Sequence, residues 1–165
     1  MLYRVIELKN QNIKTYGFWI VFTEAVGLLS GLITRKGMEL YANTVIKPPL
    51  TPPGIVFPIV WTILYALMGI GAARVQLSDE SPARAKGTLL YLTQLLFNFF
   101  WSILFFTVGN YPLAYFWLLA LWGLVIGMIL AFRKVDKTAA YLQIPYFLWL
   151  TFAACLNYGV WALNR

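Results

Sequence analysis

The chain has 165 residues, 61% of them hydrophobic and only 12% charged, with a mean hydropathy of +0.71. Charged residues make up about a quarter of an ordinary soluble domain, so this is a membrane composition, and the net charge of +7 is assigned to lipid heads and topology rather than to nucleic acid. With no histidine and a single cysteine, Cys155, the chain is excluded from His-based acid/base catalysis, His-ligated metal or haem sites and any intrachain disulfide.

Residues 1–15 are polar, carry Arg4, Lys9 and Lys14, and form a segment suited to the membrane surface. No small-residue cleavage site follows at signal-peptide distance, so the first span is expected to be uncleaved. Five stretches are apolar enough to cross a bilayer, which takes about 17–25 residues: 16–34, 55–75, 88–108, 112–132 and 139–163. Together they predict one all-α domain over 16–165, a five-transmembrane-helix bundle with no internal repeat. The first connection, 35–54, is the only long one. The third, around Gly109, Asn110 and Tyr111, is a tight turn that makes the third and fourth spans an antiparallel pair.

Basic residues set the expected orientation. Nine lie at the N-terminus and on the second and fourth connections; four lie on the opposite side. That bias predicts an N-terminus inside a prokaryotic cell membrane, with the first connection outside.

The first connection and the helix after it form the most informative stretch, 47–61. Pro48, Pro49, Pro52 and Pro53 fix the backbone and keep 47–53 out of a helix, while Pro58 is tolerated in the first turn of the span that follows. The result reads as a stiff lid over an aromatic side chain, Trp61. A plain Pro-rich connector would have the same local chemistry.

Polar and aromatic residues then mark candidate inward faces. Glu24 lies midway along the first span, where a carboxylate costs about 2.5–3.5 kcal/mol on insertion scales. It is either a ligand or proton contact or a protonated or internally hydrogen-bonded group, and the cost favours the second. Gly27 with Gly31, and Gly123 with Gly127, are pairs that let helices approach closely, within one chain or between two. At helical spacing, Trp61, Tyr65 and Met68 share a face, as do Gln94, Asn98, Trp101 and Phe105, and Pro145, Trp149, Ala153 and Leu156. Gln94 and Asn98 are costly towards lipid, so their face should point inward. Three such stripes make either a deep aromatic cavity for a flat, largely apolar ligand or a solid aromatic core.

The motifs themselves resemble a known family. Lys47, Pro48, Pro49, Thr51, Pro52, Pro53 and Gly54 followed by Trp61; Leu96, Phe97, Asn98, Trp101, Phe105 and Phe106; and Ile144, Pro145, Tyr146, Phe147, Leu148, Trp149, Phe152, Ala153, Leu156 and Asn157 are similar to the translocator protein family. That family is also known as the tryptophan-rich sensory proteins or peripheral-type benzodiazepine receptors. The resemblance covers about 16–161 and implies a five-helix membrane protein, commonly a homodimer, with a cavity under the first loop that binds porphyrins and isoquinoline-type drugs.

By the resemblance, Trp61 and Trp149 fall on two cavity tryptophans linked to light-dependent porphyrin breakdown in bacterial members. Tyr41 falls on the tyrosine of a Trp-Tyr pair, with Leu40 in place of the Trp. Asn98 and Trp101 fall on ligand contacts, and Ala153 on a small residue that governs room. The implied ligand-binding set is therefore Tyr41, Trp61, Tyr65, Asn98, Trp101, Trp149, Ala153 and Leu156. The cholesterol segment of animal members is not intact, because six residues separate Tyr158 from the next basic residue, Arg165. No specific sterol binding is expected.

The leading expectation is thus a porphyrin or tetrapyrrole binder acting in sensing, transport or regulation. The alternative is a light-dependent porphyrin-degrading enzyme using Trp61 and Trp149, which needs no acid/base pair because the excited ligand supplies the driving force. An energised transporter lacks its usual signals, a phosphate-binding loop or a duplicated half. No metal site, resident cofactor or nucleic-acid partner is expected. The expected partners are a porphyrin-like small molecule, the bilayer and a second copy of the chain. In a eukaryote the corresponding location is the mitochondrial outer membrane.

Overall fold

A computed structural model describes the backbone of residues 2–165 and the side chains of residues 10–165. Arg4 and Lys9, which entered the orientation argument, carry side chains outside the described residues. Helix α1 runs over Leu2–Thr44, α2 over Val56–Gln76, α3 over Pro82–Ser102, α4 over Tyr111–Val135, α5 over Lys137–Tyr141 and α6 over Ile144–Leu163. Alpha3 continues without a break into a π-helical segment, Ile103–Val108, and α5 and α6 together make the fifth span. The protein is a five-helix membrane bundle.

The largest difference from the sequence expectation is the end of α1. Residues 35–44 were expected in the first connection, yet they are helical to Thr44. Arg35, Lys36 and Glu39 are polar enough to end an apolar run, but they, Met38 and Leu40 are good helix formers, and no proline intervenes before Pro48. The helix ends where Lys47 Nζ reaches back to donate to the Ala42 carbonyl oxygen (2.6 Å).

The other boundaries have local causes. Ser81 Oγ accepts from the Arg84 N–H with Pro82 in the first turn of α3. Gly109, at φ +67°, ends the π-helical segment in a left-handed conformation, and Asn110 Oδ1 then caps α4 through the Leu113 N–H. Asp136 Oδ1 accepts from the Ala139 N–H to start α5.

Helices α1 and α2 pack closely, as do α3 and α4, and α4 also packs on α6. Two glycines permit the first contact. A Cβ on Gly69 would fall 2.7 Å from the Ile20 Cα and 2.8 Å from the Trp19 carbonyl oxygen, and a Cβ on Gly27 would overlap the Tyr65 ring. The Gly27 half of the Gly27/Gly31 pair therefore serves packing within the chain, while Gly31 and Gly123 face open space.

Hydrogen bonds tie helices that lipid alone would not drive together. Thr23 and Tyr91 join α1 to α3, Trp117 Nε1 donates to the Phe97 carbonyl oxygen (2.8 Å), and Trp122 Nε1 donates to Thr151 Oγ1 (2.9 Å). Arg74, near the end of α2, pairs with Asp136 at 2.8 Å.

Burial works against ionising Asp136, but hydrogen bonds from Arg74 and the Ala139 N–H outweigh it and hold the carboxyl below the usual range. A depressed folded-state value contributes stability above the unfolded value of about 3.9 that is lost as pH falls through the folded value. Thermal unfolding in detergent should therefore show wild type losing its advantage over Asp136→Asn as pH is lowered below about 4. A difference that stays constant from pH 7 to pH 2 would exclude this linkage.

Candidate functional site

The site builds upward from an antiparallel seam. Alpha2 and α6 run in opposite directions and approach each other less closely than the other neighbours do, and aromatic rings fill the distance. Phe57 faces Trp149 with ring centroids 5.9 Å apart, and one turn along, Trp61 faces Tyr146 at 6.1 Å. Tyr65 stacks at a tilt on Trp61 at 5.2 Å. Trp61 and Trp149 are half-buried, whereas Tyr65 and Tyr146 are buried.

Because Phe57 already faces Trp149, the last three to four turns of α6 extend past the start of α2. The Pro-rich segment takes that place. Asn164 uses both ends of its side-chain amide on Ile46, accepting from the backbone N–H (3.0 Å) and donating to the carbonyl oxygen (2.9 Å). Lower down, Pro48 packs on Gly159, where a Cβ would meet the proline ring at 3.0 Å. Loop one thus descends along α6 from Asn164 towards Phe57 and closes the seam from above. Thr51 stiffens it further, its N–H and Oγ1 both donating to the Pro48 carbonyl oxygen. Ala153 and Leu156 lie on the stretch of α6 between Trp149 and Gly159.

Below the rings sits a buried polar relay. Tyr146 Oη accepts from Asn98 Nδ2 and donates to Gln94 Oε1, both at 2.9 Å, while Gln94 Nε2 is buried without a partner. Asn98 thus spends an amide hydrogen inside the protein.

Trp101 sits elsewhere. Its Nε1 donates to Asn157 Oδ1 (3.3 Å), and Asn157 Nδ2 donates to the Tyr111 carbonyl oxygen (3.0 Å), tying α3, α4 and α6 at one point. Its ring lies on Phe105 at 5.3 Å, and Tyr41 packs on Phe105 and Phe106 at 5.3 and 5.4 Å. The π-helical segment supplies both phenylalanines. Gly37 of α1 lies so close to the Phe106 carbonyl that only a glycine fits.

The eight residues singled out in the sequence therefore divide. Trp61, Tyr65, Asn98 and Trp149 line or support the α2/α6 seam, Ala153 and Leu156 follow Trp149 along α6, and Tyr41 and Trp101 belong to the aromatic group on the π-helical segment. The stripe expected on the last helix keeps Trp149, Ala153 and Leu156 half-buried or buried but loses Pro145. Pro145 is exposed and its neighbour Tyr146 is buried, with Leu150, Asn157 and Val160 continuing the inward face. Tyr146, Asn157, Asn164 and Phe57 were missed in the sequence, although Asn157 stands out as an amide in an apolar run. Glu24 is half-buried and makes neither a hydrogen bond nor an ion pair among the described residues, so of the two forms expected for a structural Glu24 the hydrogen-bonded one is not seen there.

One contrast among the tryptophans concerns their polar edge. Trp101, Trp117 and Trp122 donate their indole N–H within the protein. Among the described residues, Trp61 and Trp149 donate theirs to no protein group, and neither do Trp19 and Trp161 outside the seam. An aromatic edge with a free donor on each wall of a lidded seam can take a flat molecule that carries acceptors.

Comparison with known proteins agrees with the architecture. The family model described as TspO/MBR family matches residues 19–162. The chain is 34% identical over 156 residues to the tryptophan-rich protein TspO of Chlorobaculum tepidum, covering 94% of this chain and 99% of the relative. It is 38% identical over 130 residues to the tryptophan-rich sensory protein of Cereibacter sphaeroides, covering 78% and 79%. It is also 34% identical over 151 residues to the translocator protein of Ovis aries, covering 90% and 89%.

Proposed function

We infer that this chain, which belongs to the TspO/MBR family, binds a porphyrin or similar flat tetrapyrrole in the α2/α6 seam beneath the Pro-rich loop. The observation that supports this reading is the placement of two half-buried tryptophans, Trp61 and Trp149, on opposite walls of the α2/α6 seam at the loop-one end, each packed on aromatic rings of the other helix. The macrocycle stacks against the indoles, and its propionates lie towards Lys47 or the backbone N–H groups of loop one. Binding serves sensing, transport or regulation of tetrapyrrole metabolism. In this reading the chain works as a homodimer in a prokaryotic cell membrane with its N-terminus inside, or in the mitochondrial outer membrane of a eukaryote.

Titrating protoporphyrin IX into detergent-purified protein while following tryptophan emission tests the reading. Trp61→Phe keeps a ring and removes the N–H, so it should bind about fivefold more weakly, the equivalent of one net hydrogen bond. Unchanged emission at micromolar porphyrin, or identical titrations for both proteins, excludes the seam as the site.

A second reading, photo-oxidative degradation of the porphyrin, is favoured by the oxidisable rings beside Trp61, namely Tyr65 at 5.2 Å and Tyr146 at 6.1 Å. Illuminating the same complexes in air separates the readings. Bleaching of the porphyrin band that is no faster in wild type than in a Trp61→Phe/Trp149→Phe variant leaves binding alone.

A further inference from the structure

The end of the bundle away from the Pro-rich loop carries an open cleft of about 400 Å³, lined by Gln11, Lys14, Thr15, Phe18, Trp19 and Gln76. Trp19 and Gln76 are shared with a narrow crevice behind it that reaches Tyr91 and Phe132 and is too tight to admit water. Gln76 is the last residue of α2, so the cleft lies at the level where a span meets the membrane surface.

Its two sides differ in chemistry. Lys14 is exposed and makes no ion pair among the described residues. Gln76 Oε1 accepts from Arg84 Nη2 at 3.3 Å, which brings a second positive charge to the rim from just outside the lining, while Arg84 Nη1 donates to the Ser78 carbonyl oxygen and lies 4.0 Å from the Glu80 carboxylate. Towards the membrane centre, Phe18 follows Lys14 by one helical turn and Phe22 follows by another. Their rings stack at 6.0 Å with an interplanar angle of 9°, and Phe18 remains 62% exposed. A positive rim above a continuous apolar track fits an amphiphile with an anionic head.

We propose that this cleft holds an anionic phospholipid of the surrounding leaflet, its phosphate on Lys14 and Arg84 and an acyl chain along Phe18 and Phe22. The charge complementarity is local. At the same end Arg133, Lys134 and Lys137 are also basic, but none of them lines the cleft. Such a lipid would seat α1 against α2 and α3 at the end opposite the porphyrin seam, so the two sites are spatially distinct.

The test is lipid retention counted by native mass spectrometry. Protein stripped of lipid in detergent is titrated with phosphatidylglycerol or with phosphatidylcholine. Wild type should retain one phosphatidylglycerol per chain in preference to phosphatidylcholine. Lys14→Gln should weaken that retention about fivefold, the effect of one basic residue at a charged lipid surface. Phe18→Ala should weaken it as well, while Lys134→Gln, which removes an equal charge outside the cleft, should not. All three positions are exposed, so the fold is retained, and helical circular dichroism verifies that. Equal losses for Lys14→Gln and Lys134→Gln overturn the proposal, as do equal retention of the two lipids and indifference to Phe18→Ala. Displacement by glycerophosphoglycerol at the same concentration would mean that a free anion, not a lipid, occupies the cleft, and overturns it too.

Discussion

Ala153→Leu should weaken porphyrin binding about ten- to a hundredfold while leaving the melting temperature within a few degrees of wild type. Ala153 lies one turn beyond Trp149 on α6, half-buried, beneath the part of loop one that packs on Gly159. A larger side chain there projects over the Trp149 ring, into the volume assigned to the macrocycle. Overpacking an occupied site costs about 1–3 kcal/mol, and each 1.4 kcal/mol is tenfold in affinity. The unchanged melting temperature follows if the space beside Trp149 is open in the unliganded protein, so that the added atoms displace nothing. Measuring affinity and melting temperature on the same sample decides the matter. A lowered melting temperature with unaltered affinity would show that the space beside Trp149 is solid core and that the ligand, if any, binds elsewhere.

Gly69→Ala should do the opposite, lowering thermal stability by about 6–12 °C, which for a chain of this size corresponds to roughly 3 kcal/mol. The reason is what the new methyl group meets. It faces the backbone of Trp19 and Ile20 at 2.7–2.9 Å, and backbone cannot rotate aside as a side chain can, so α1 and α2 must separate. Gly31→Ala provides the internal control. Its Cβ meets nothing within 4 Å, and alanine is the better helix former by about 1 kcal/mol, so that variant should be neutral or slightly stabilised. Melting the two variants side by side at one scan rate reads the difference. If Gly69→Ala unfolds no earlier than Gly31→Ala, the close α1/α2 approach is not what holds these helices together.

Much of the architecture was legible because bilayer thickness imposes a length that hydropathy can read. The five spans follow from apolar runs, and the stiff first loop follows from four prolines within six residues. The α1 extension was not legible for the converse reason. Hydropathy reports what lipid tolerates, whereas Arg35, Lys36 and Glu39 leave the lipid yet remain good helix formers. The pairing of glycines was readable as close approach, but not which partner each would meet. Gly27 found the Tyr65 ring, Gly37 the π-helical segment and Gly31 open space.

The site was legible in residue type more than in placement. Trp61, Tyr65 and Asn98 could be assigned inward because helical spacing set them beside costly amides or other aromatics. On the last helix the same rule held for Trp149, Ala153 and Leu156 but not for the exposed Pro145, and it passed over Tyr146, which carries the relay between Asn98 and Gln94. Trp101 precedes the π-helical segment, Ile103–Val108, which supplies the phenylalanines it packs among. The segment's wider turn shifts Phe105 and Phe106 towards Tyr41, a change of phase that spacing rules based on 3.6 residues cannot anticipate.

The Asn164 clamp on Ile46 also fixes an order of events during biosynthesis. The two residues are separated by 118 positions, and Asn164 lies beyond the fifth span, so the clamp cannot close until every span has been inserted. Before that, loop one has neither Asn164 nor Gly159 to rest on, and the space above Phe57 and Trp61 is uncovered. An apolar pigment present in the membrane could enter a nascent chain without crossing any lid. Docking of loop one on the last helix is therefore a late step of assembly.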